Sequence, residues 1–304
     1  MSHAMEKTSS FDGRPVQVIG HRGASGVLPE HTLIAYATAL AQGADVVEPD
    51  LVVSRDGVLF ARHEPGLGRS TDVADRPEFA DRRRDGDWFC HDFDAVELDR
   101  LRAMQPFPGR SRRHDRRYPL PRFRDILCWA GQVADARGQA VILYPEIKHP
   151  SALAALGIDP VPLFIDAMRN RPAGVEVWVQ CFEAEPLRRI VDAAGLNACL
   201  LIDAEADWRA ALAEHGDWLF ALGIDKTILS RSDGGPGTRP DAPLAAVVAA
   251  AHAIGVRVDA WTFRDDAVGA GFASIEEELR AAVASGVDGL FCDFPATAVA
   301  VVRS

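Results

Sequence analysis

The sequence predicts an α/β protein closed as a (β/α)8 TIM barrel, with a small cap inserted after the second barrel strand and its hairpin. Three observations carry the expectation. From Val16 onward, short β-branched runs alternate with Ala/Leu-rich segments of helical length, as repeated βα units require. The β-rich runs number eight, and eight parallel strands separated by helices close most naturally as a barrel. No GxGxxG follows the first run, so the competing open, doubly wound sheet lacks its dinucleotide fingerprint.

The first run, VQVIG (16–20), feeds HRGASGVLPEHT (21–32), whose glycines let the chain turn sharply at the barrel's catalytic end. A helix over 32–42 follows, then the strand ADVVEPDL (44–51). In LVVSRDGVLFARH (51–63), two apolar runs flank Asp56-Gly57, a dipeptide suited to a tight hairpin turn. The link is too short for a crossover helix, so the second run must return antiparallel. Counting outward from the turn places His63 opposite Pro49 or Asp50. The segment from about 64 to 120 is too long for an ordinary loop and reads as the cap. Its Arg82-Arg83-Arg84 and 110–117 basic runs read as a solvated charged face in preference to an anion contact. The remaining strands are AVILYPEIK (140–148), VEVWVQCF (175–182), ACLLID (198–203), FALGID (220–225), RVDAWTF (257–263) and DGLFCDF (288–294). Helices are expected over 122–137, 184–194, 243–254 and 275–285 from apolar residues at i, i+3, i+4 spacing.

Domain organisation follows: a flexible N-terminus over 1–15, and one barrel domain over 16–304 carrying the cap. A charge of -11, from 33 basic and 44 acidic residues, speaks against a general nucleic-acid binder or a protein held on membranes by basic patches. Five widely spaced cysteines without a CxxC pair suggest neither a disulfide framework nor a zinc knuckle; the three in apolar strand-like runs, Cys181, Cys199 and Cys292, read as small buried hydrophobes. The start of the chain has no apolar signal-peptide core, and no run approaches the ~18 apolar residues of a membrane span. As given, the chain reads as cytoplasmic, or as periplasmic if a signal peptide has been removed.

Charged residues inside strands are the informative anomaly. Glu48 and Asp50 are two apart, as are Glu146 and Lys148, so each pair shares one face of its strand. Three carboxylates converging in a low dielectric repel unless a cation neutralises them. An oxygen-rich cage suits one divalent cation, Ca2+ or Mg2+. For Glu146 and Lys148 alone, a structural ion pair is the competing reading. His21 and Arg22 stand at the catalytic face, and the hairpin returns His63 to their level. Two imidazoles near a metal suit phosphoryl transfer, one taking a proton from the attacking hydroxyl and the other protonating the leaving alkoxide. Arg22, Lys148 and the cation then neutralise the phosphate oxygens. Trp261, with Phe263 and Arg264, either lines a substrate pocket or belongs to the core. Gln180, Phe182, Asp225 and Lys226 are weaker candidates, the last as added positive field or as a surface salt bridge.

HRGASGVLPEHTL, EPDL with its RDG turn and ARH, YPEIK and GVDGLFCDFPATA, in this order over nearly the whole chain, resemble the signatures of the glycerophosphodiester phosphodiesterase family. DWFCHDF, ELDRL and PLPRF in the insertion resemble its bacterial branch, similar to the periplasmic enzyme. The resemblance implies His21 and His63 as acid/base pair, Arg22 and Lys148 at the phosphate, and Glu48, Asp50 and Glu146 as divalent-metal ligands. It implies a small-molecule glycerophosphodiester substrate such as glycerophosphocholine or glycerophosphoethanolamine. The resemblance further implies that the neighbouring glycerol hydroxyl attacks first, releasing the alcohol, and that water then opens the cyclic phosphate to glycerol 3-phosphate. Rival readings are a lysophospholipase D, which needs an apolar slot beside the metal, and a catalytically silent phosphodiester-binding barrel. The chain departs from the family where His-Asp becomes His63-Glu64. His31, in PEHT, reads as a helix cap or packing residue before it reads as a substrate contact.

Overall fold

The structure is a computed structural model that describes residue 13, residues 15–230 and residues 243–304. The stretch 1–15 expected to be flexible lies, Gly13 and Pro15 apart, outside the described residues. The strands are β1 (Gln17–His21), β2 (Val46–Glu48), β3 (Asp50–Val53), β4 (Leu59–Ala61), β5 (Val141–Leu143), β6 (Glu146–Ile147), β7 (Val175–Cys181), β8 (Asn197–Ile202), β9 (Ala221–Asp225), β10 (Arg257–Phe263) and β11 (Gly289–Cys292). β1, β2, β5, β7, β8, β9, β10 and β11 pair in parallel in that order, and β11 returns to β1. The ring is closed, as the eight runs predict. Two predicted strands are each cut in two, at Pro49 and at Tyr144-Pro145. Proline has no N–H to give the ladder. Pairing resumes beyond the breaks, with β3 beside β6 and β6 beside β7.

Alternation along the strands divides the core. Ile19, Val46, Tyr144, Trp178, Cys199, Leu201 and Phe291 fill the barrel interior, while Val18, Val47, Val177 and Leu200 pack outward with the helices. Two or four residues beyond an interior apolar side chain, the same face carries His21 after Ile19, Glu48 and Asp50 after Val46, Glu146 and Lys148 after Tyr144, Gln180 after Trp178, and Asp293 after Phe291. The polar end of the barrel is thus the continuation of its apolar lining.

β3 and β4 form the expected hairpin, with Leu51 facing Ala61 and the Arg62 N–H bonded to the Asp50 carbonyl at 2.9 Å. One further step sets His63 opposite Pro49. The cap holds three 3-10 turns, over Val73–Asp75, Pro77–Arg82 and Cys90–Asp92, and a short helix over Ala95–Leu98. It has its own core of Phe79, Trp88, Phe93, Leu98 and Leu101 against hairpin residues Val52 and Phe60. Outside the cap and among the described residues, four helices went unpredicted: Pro150–Ala155, Pro160–Arg169, Trp208–His215 and Pro295–Val302. Three of them begin on proline, which reads as a breaker in sequence but is pre-organised for a helix's first position. Cys181, Cys199 and Cys292 are buried, as expected; Cys90 is also buried, and Cys128 is exposed on a helix. Among the described residues, no helix is long and apolar enough to cross a membrane.

Candidate metal centre and catalytic face

The centre is built where β1 and β2 end and β3 and β6 begin, side by side. Register pairs His21 with Glu48, Asp50 with Glu146, and Glu146 with Gln180. Carboxylate oxygens of Glu48, Asp50 and Glu146 all lie within 4.8 Å of one another, and the three residues are buried. Lys148 Nζ stands 2.8 Å from Glu146 Oε1 and 3.6 Å from Asp50 Oδ1. The two readings of Glu146 and Lys148 therefore coexist: they pair, and Glu146 belongs to the carboxylate cluster. Burial, with repulsion from Asp50 and Glu146, pushes the Glu48 carboxyl well above its ordinary range. Burial likewise lifts Glu146 to about 8, against the pull of Lys148. Asp50 goes the other way, because Lys148 and the His31 hydrogen bond overcome its burial.

These residues fit a divalent cation. All three donors are oxygens, and Asp50 Oδ1 is a buried acceptor without a hydrogen-bond partner. Two of the three carboxyls, lacking a cation, favour their protonated forms, which is the electrostatic demand a dication meets.

The loop after β1 supports the cluster from beside it. Arg22 takes a positive φ of 59°, an unusual conformation for a residue with a side chain, and its backbone N–H donates to Glu48 Oε2 at 2.8 Å. Its guanidinium donates to Glu30 at 2.8 Å and lies 3.4 Å from Asp50. His31 also has positive φ. Its Nε2–H donates to Asp50 at 2.9 Å, while Nδ1 accepts from the Tyr36 hydroxyl at 3.0 Å. The capping role expected of His31 belongs instead to Thr32, whose side chain accepts from the Ala35 N–H. His31 is wholly buried, so its packing role stands, directed at Asp50. Gln180 Nε2 donates to Glu48 at 3.2 Å.

Each of the two face histidines has a carboxylate on Nδ1. His21 Nδ1–H donates to Asp293 Oδ1 at 2.6 Å. Burial and the neighbouring Arg22 lower the His21 imidazolium to about 4, against the pull of Asp293, so the ring is neutral at pH 7 and Nε2 keeps a lone pair. His63 Nδ1 lies 2.8 Å from Glu64 Oε1. That bond holds Glu64 down to about 2, so Glu64 is the acceptor and Nε2 of His63 is available to a substrate.

Trp261 sits at the mouth edge-on to the exposed Phe182 ring, with centroids 5.7 Å apart, while its neighbour Phe263 is buried in the core. Arg264 lies 3.2 Å from Asp293. Lys226 is no surface salt bridge: it is buried against Glu278 at 3.0 Å, which spends its charge. Arg82 and Arg84 form the expected solvated face, paired with Glu97 and Asp92. Arg110 departs from that expectation, for its side chain is 2% exposed and bonded to Asp293 at 2.6 Å. Sequence reasoning overlooked Asp293, Glu30, Tyr36 and the buried role of Arg110. Asp293 was within reach, because counting by two along DGLFCDF from the interior Phe291 arrives at it.

The family model for the glycerophosphoryl diester phosphodiesterase family matches residues 21–297. The chain is 29% identical to a glycerophosphodiester phosphodiesterase of Haemophilus influenzae over 329 aligned residues, covering 94% of this chain and 89% of that one. It is 33% identical to one of Treponema pallidum over 188 residues, 57% of this chain and 52% of the relative. Among solved structures, an Oleispira antarctica phosphodiesterase in complex with the product sn-glycerol-3-phosphate matches with a TM-score of 0.67 at 20% identity, covering 95% of this chain and 98% of that one. A glycerophosphoryl diester phosphodiesterase of Parabacteroides distasonis matches with a TM-score of 0.61 at 18% identity, covering 98% and 93%.

Proposed function

The chain belongs to the glycerophosphoryl diester phosphodiesterase family and is an enzyme of that class, and from that premise we propose that it hydrolyses small glycerophosphodiesters such as glycerophosphocholine or glycerophosphoethanolamine by metal-dependent acid/base catalysis. The observation that carries the reading is the juxtaposition of three buried carboxylates with two histidines whose Nδ1 atoms are each committed to a carboxylate. Glu48, Asp50 and Glu146 hold one divalent cation, Ca2+ or Mg2+. When bound, that cation supplies Lewis-acid stabilisation of negative charge on the phosphate oxygens.

His21 is the base. It is neutral at pH 7, and its Nε2 lone pair accepts the proton of the attacking glycerol hydroxyl. His63 returns a proton through Nε2 to the departing alkoxide, and Glu64 holds its ring in place. The first step forms a cyclic phosphate and releases the alcohol; water then opens the ring to glycerol 3-phosphate with the proton roles reversed. Arg22 and Lys148 orient the phosphate and offset its charge, and Trp261 flanks the glycerol or alcohol group. The glycerol-3-phosphate held by the Oleispira antarctica protein is consistent with this substrate class.

A lysophospholipase D needs an apolar slot beside the cation. An apolar groove of about 680 Å³, lined by Leu59, Phe123, Leu127, Leu163 and Pro172, shares no residue with the carboxylate cluster. The Arg- and Asp-rich sequence of the cap favours the polar substrate. The test assays glycerophosphocholine, glycerophosphoethanolamine and a lysophospholipid for released glycerol 3-phosphate with and without chelator. The expected outcome is release from the first two, abolished by chelator and restored by Ca2+ or Mg2+. Chelator-insensitive turnover removes the metal from the reading, and preference for the lysophospholipid removes the substrate class.

A further inference from the structure

We infer that Arg110, carried into the barrel mouth by the cap, positions the Asp293–His21 pair, so that the inserted segment completes the acid/base apparatus of the barrel. The inference rests on the reading of His21 as a proton-transfer residue and deepens it.

The carboxylate of Asp293 is shared between two parts of the chain. Its Oδ1 accepts from His21 Nδ1 at 2.6 Å, and its Oδ2 accepts from Arg110 Nη2 at 2.6 Å. With an oxygen committed to each partner, the carboxylate cannot rotate about its terminal torsion without breaking a buried charge-assisted bond. Arg264 Nε, from the segment after β10, approaches the same Oδ2 at 3.2 Å. Burial opposes ionisation of Asp293, but the hydrogen bond and charge of His21, with Arg264 and Arg110 beside it, hold the group far below the ordinary carboxylate range.

Arg110 is itself fixed from every side. Nε and Nη2 fork onto Asp266 at 2.7 and 3.0 Å, and Nη1 donates to the Ser25 carbonyl at 3.3 Å. The guanidinium lies 4.1 Å from the Phe107 ring centroid and 5.2 Å from that of Phe294. A second cap residue reaches the same place: Gln105 Nε2 donates to the carbonyls of Ser25 and Leu28 at 3.0 and 3.2 Å. Ser25 in turn donates its hydroxyl to the His21 carbonyl at 2.8 Å. The cap thus grips His21 twice, through its backbone by way of Ser25 and through its ring by way of Asp293. A general base works only when its ring is held in the right tautomer and direction. None of the contacts made by Arg110 itself is to the phosphate pocket residues Arg22 or Lys148, so its effect belongs in turnover and not in binding.

The test is a double-mutant cycle on the full chain, measuring kcat and KM for glycerophosphocholine at saturating Ca2+ or Mg2+. Asp293→Asn is expected to lower kcat by roughly 10²–10⁴-fold. Arg110→Met alone is expected to lower kcat by about 10–100-fold with KM changed by less than about threefold. In the Asp293→Asn background the same substitution costs less than about twofold, because its route to His21 is already broken. Arg110→Lys, which restores a cation without the planar fork, recovers part of the lost kcat. Losses that multiply in the double variant, a loss confined to KM, or wild-type kcat in Arg110→Met each overturn the inference. Wild-type kcat in Asp293→Asn overturns the acid/base reading of His21 and this inference with it, which separates the two failures. Should Arg110→Met not fold, Arg110→Lys in the same two backgrounds reads the same coupling.

Discussion

Replacing the family's aspartate after His63 by glutamate adds a methylene, and Glu64 absorbs the extra length by bringing Oε1 back to within 2.8 Å of its neighbour's Nδ1. The bond is half exposed, so water competes for it. Glu64→Gln, which removes the charge but retains an acceptor, is expected to lower kcat by roughly 3–30-fold, less than loss of the buried Asp293. Steady-state kinetics on glycerophosphocholine check this, and unchanged kcat removes Glu64 from the positioning of His63. His21 contributes a pH dependence of stability. Its folded-state value, about 4, lies below the unfolded value of 6.5, so between those limits the unfolded chain binds more protons. The stabilisation is complete above pH 6.5 and is lost as pH falls toward 4, a total on the order of 3 kcal/mol. Denaturant titrations at pH 7 and 4.5 should show this slope flattened in His21→Asn. An identical slope in both proteins shows that other groups carry it.

At the scale of elements, the turn after β1 decides whether His21 and Arg22 meet the carboxylates at all. Gly23 has φ of +82°, and a Cβ there would lie 2.6 Å from the Ala35 backbone. Gly23→Ala is therefore expected to cost at least about 2 kcal/mol and to depress kcat through displacement of the His21-Arg22 loop. Thermal melts and kinetics together test this, and a fully stable, fully active variant sinks it. The β3–β4 hairpin does the equivalent task for His63. Its register follows from the three-residue turn Arg55, Asp56 and Gly57, with Gly57 at φ of +78°, a geometry that local sequence dictates.

At the scale of the whole molecule, closure of the barrel brings three carboxylates together more closely than they tolerate alone. Adding Ca2+ or Mg2+ at about 100 times its Kd should stabilise the protein by ~2.7 kcal/mol, raising Tm on the order of 5 °C. Asp50→Asn should abolish that response, and an equal shift in the variant places the cation elsewhere. What local geometry sets was legible in the sequence: the eight strands, the shared faces of Glu48 with Asp50 and Glu146 with Lys148, and the return of His63 to the level of Pro49 or Asp50. Each depends on alternation along one strand or on a short turn, where residue spacing and spatial neighbourhood coincide. The barrel's register then brought those short-range pairs into one cluster. The partners that hold the catalytic face were decided by the tertiary structure alone. His21 and Asp293 stand 272 positions apart, and Arg110 and Asp293 stand 183 apart. Whether Arg110 lies in water or against Asp293 depends on how the cap packs on the closed ring, and no periodicity along the chain encodes that packing.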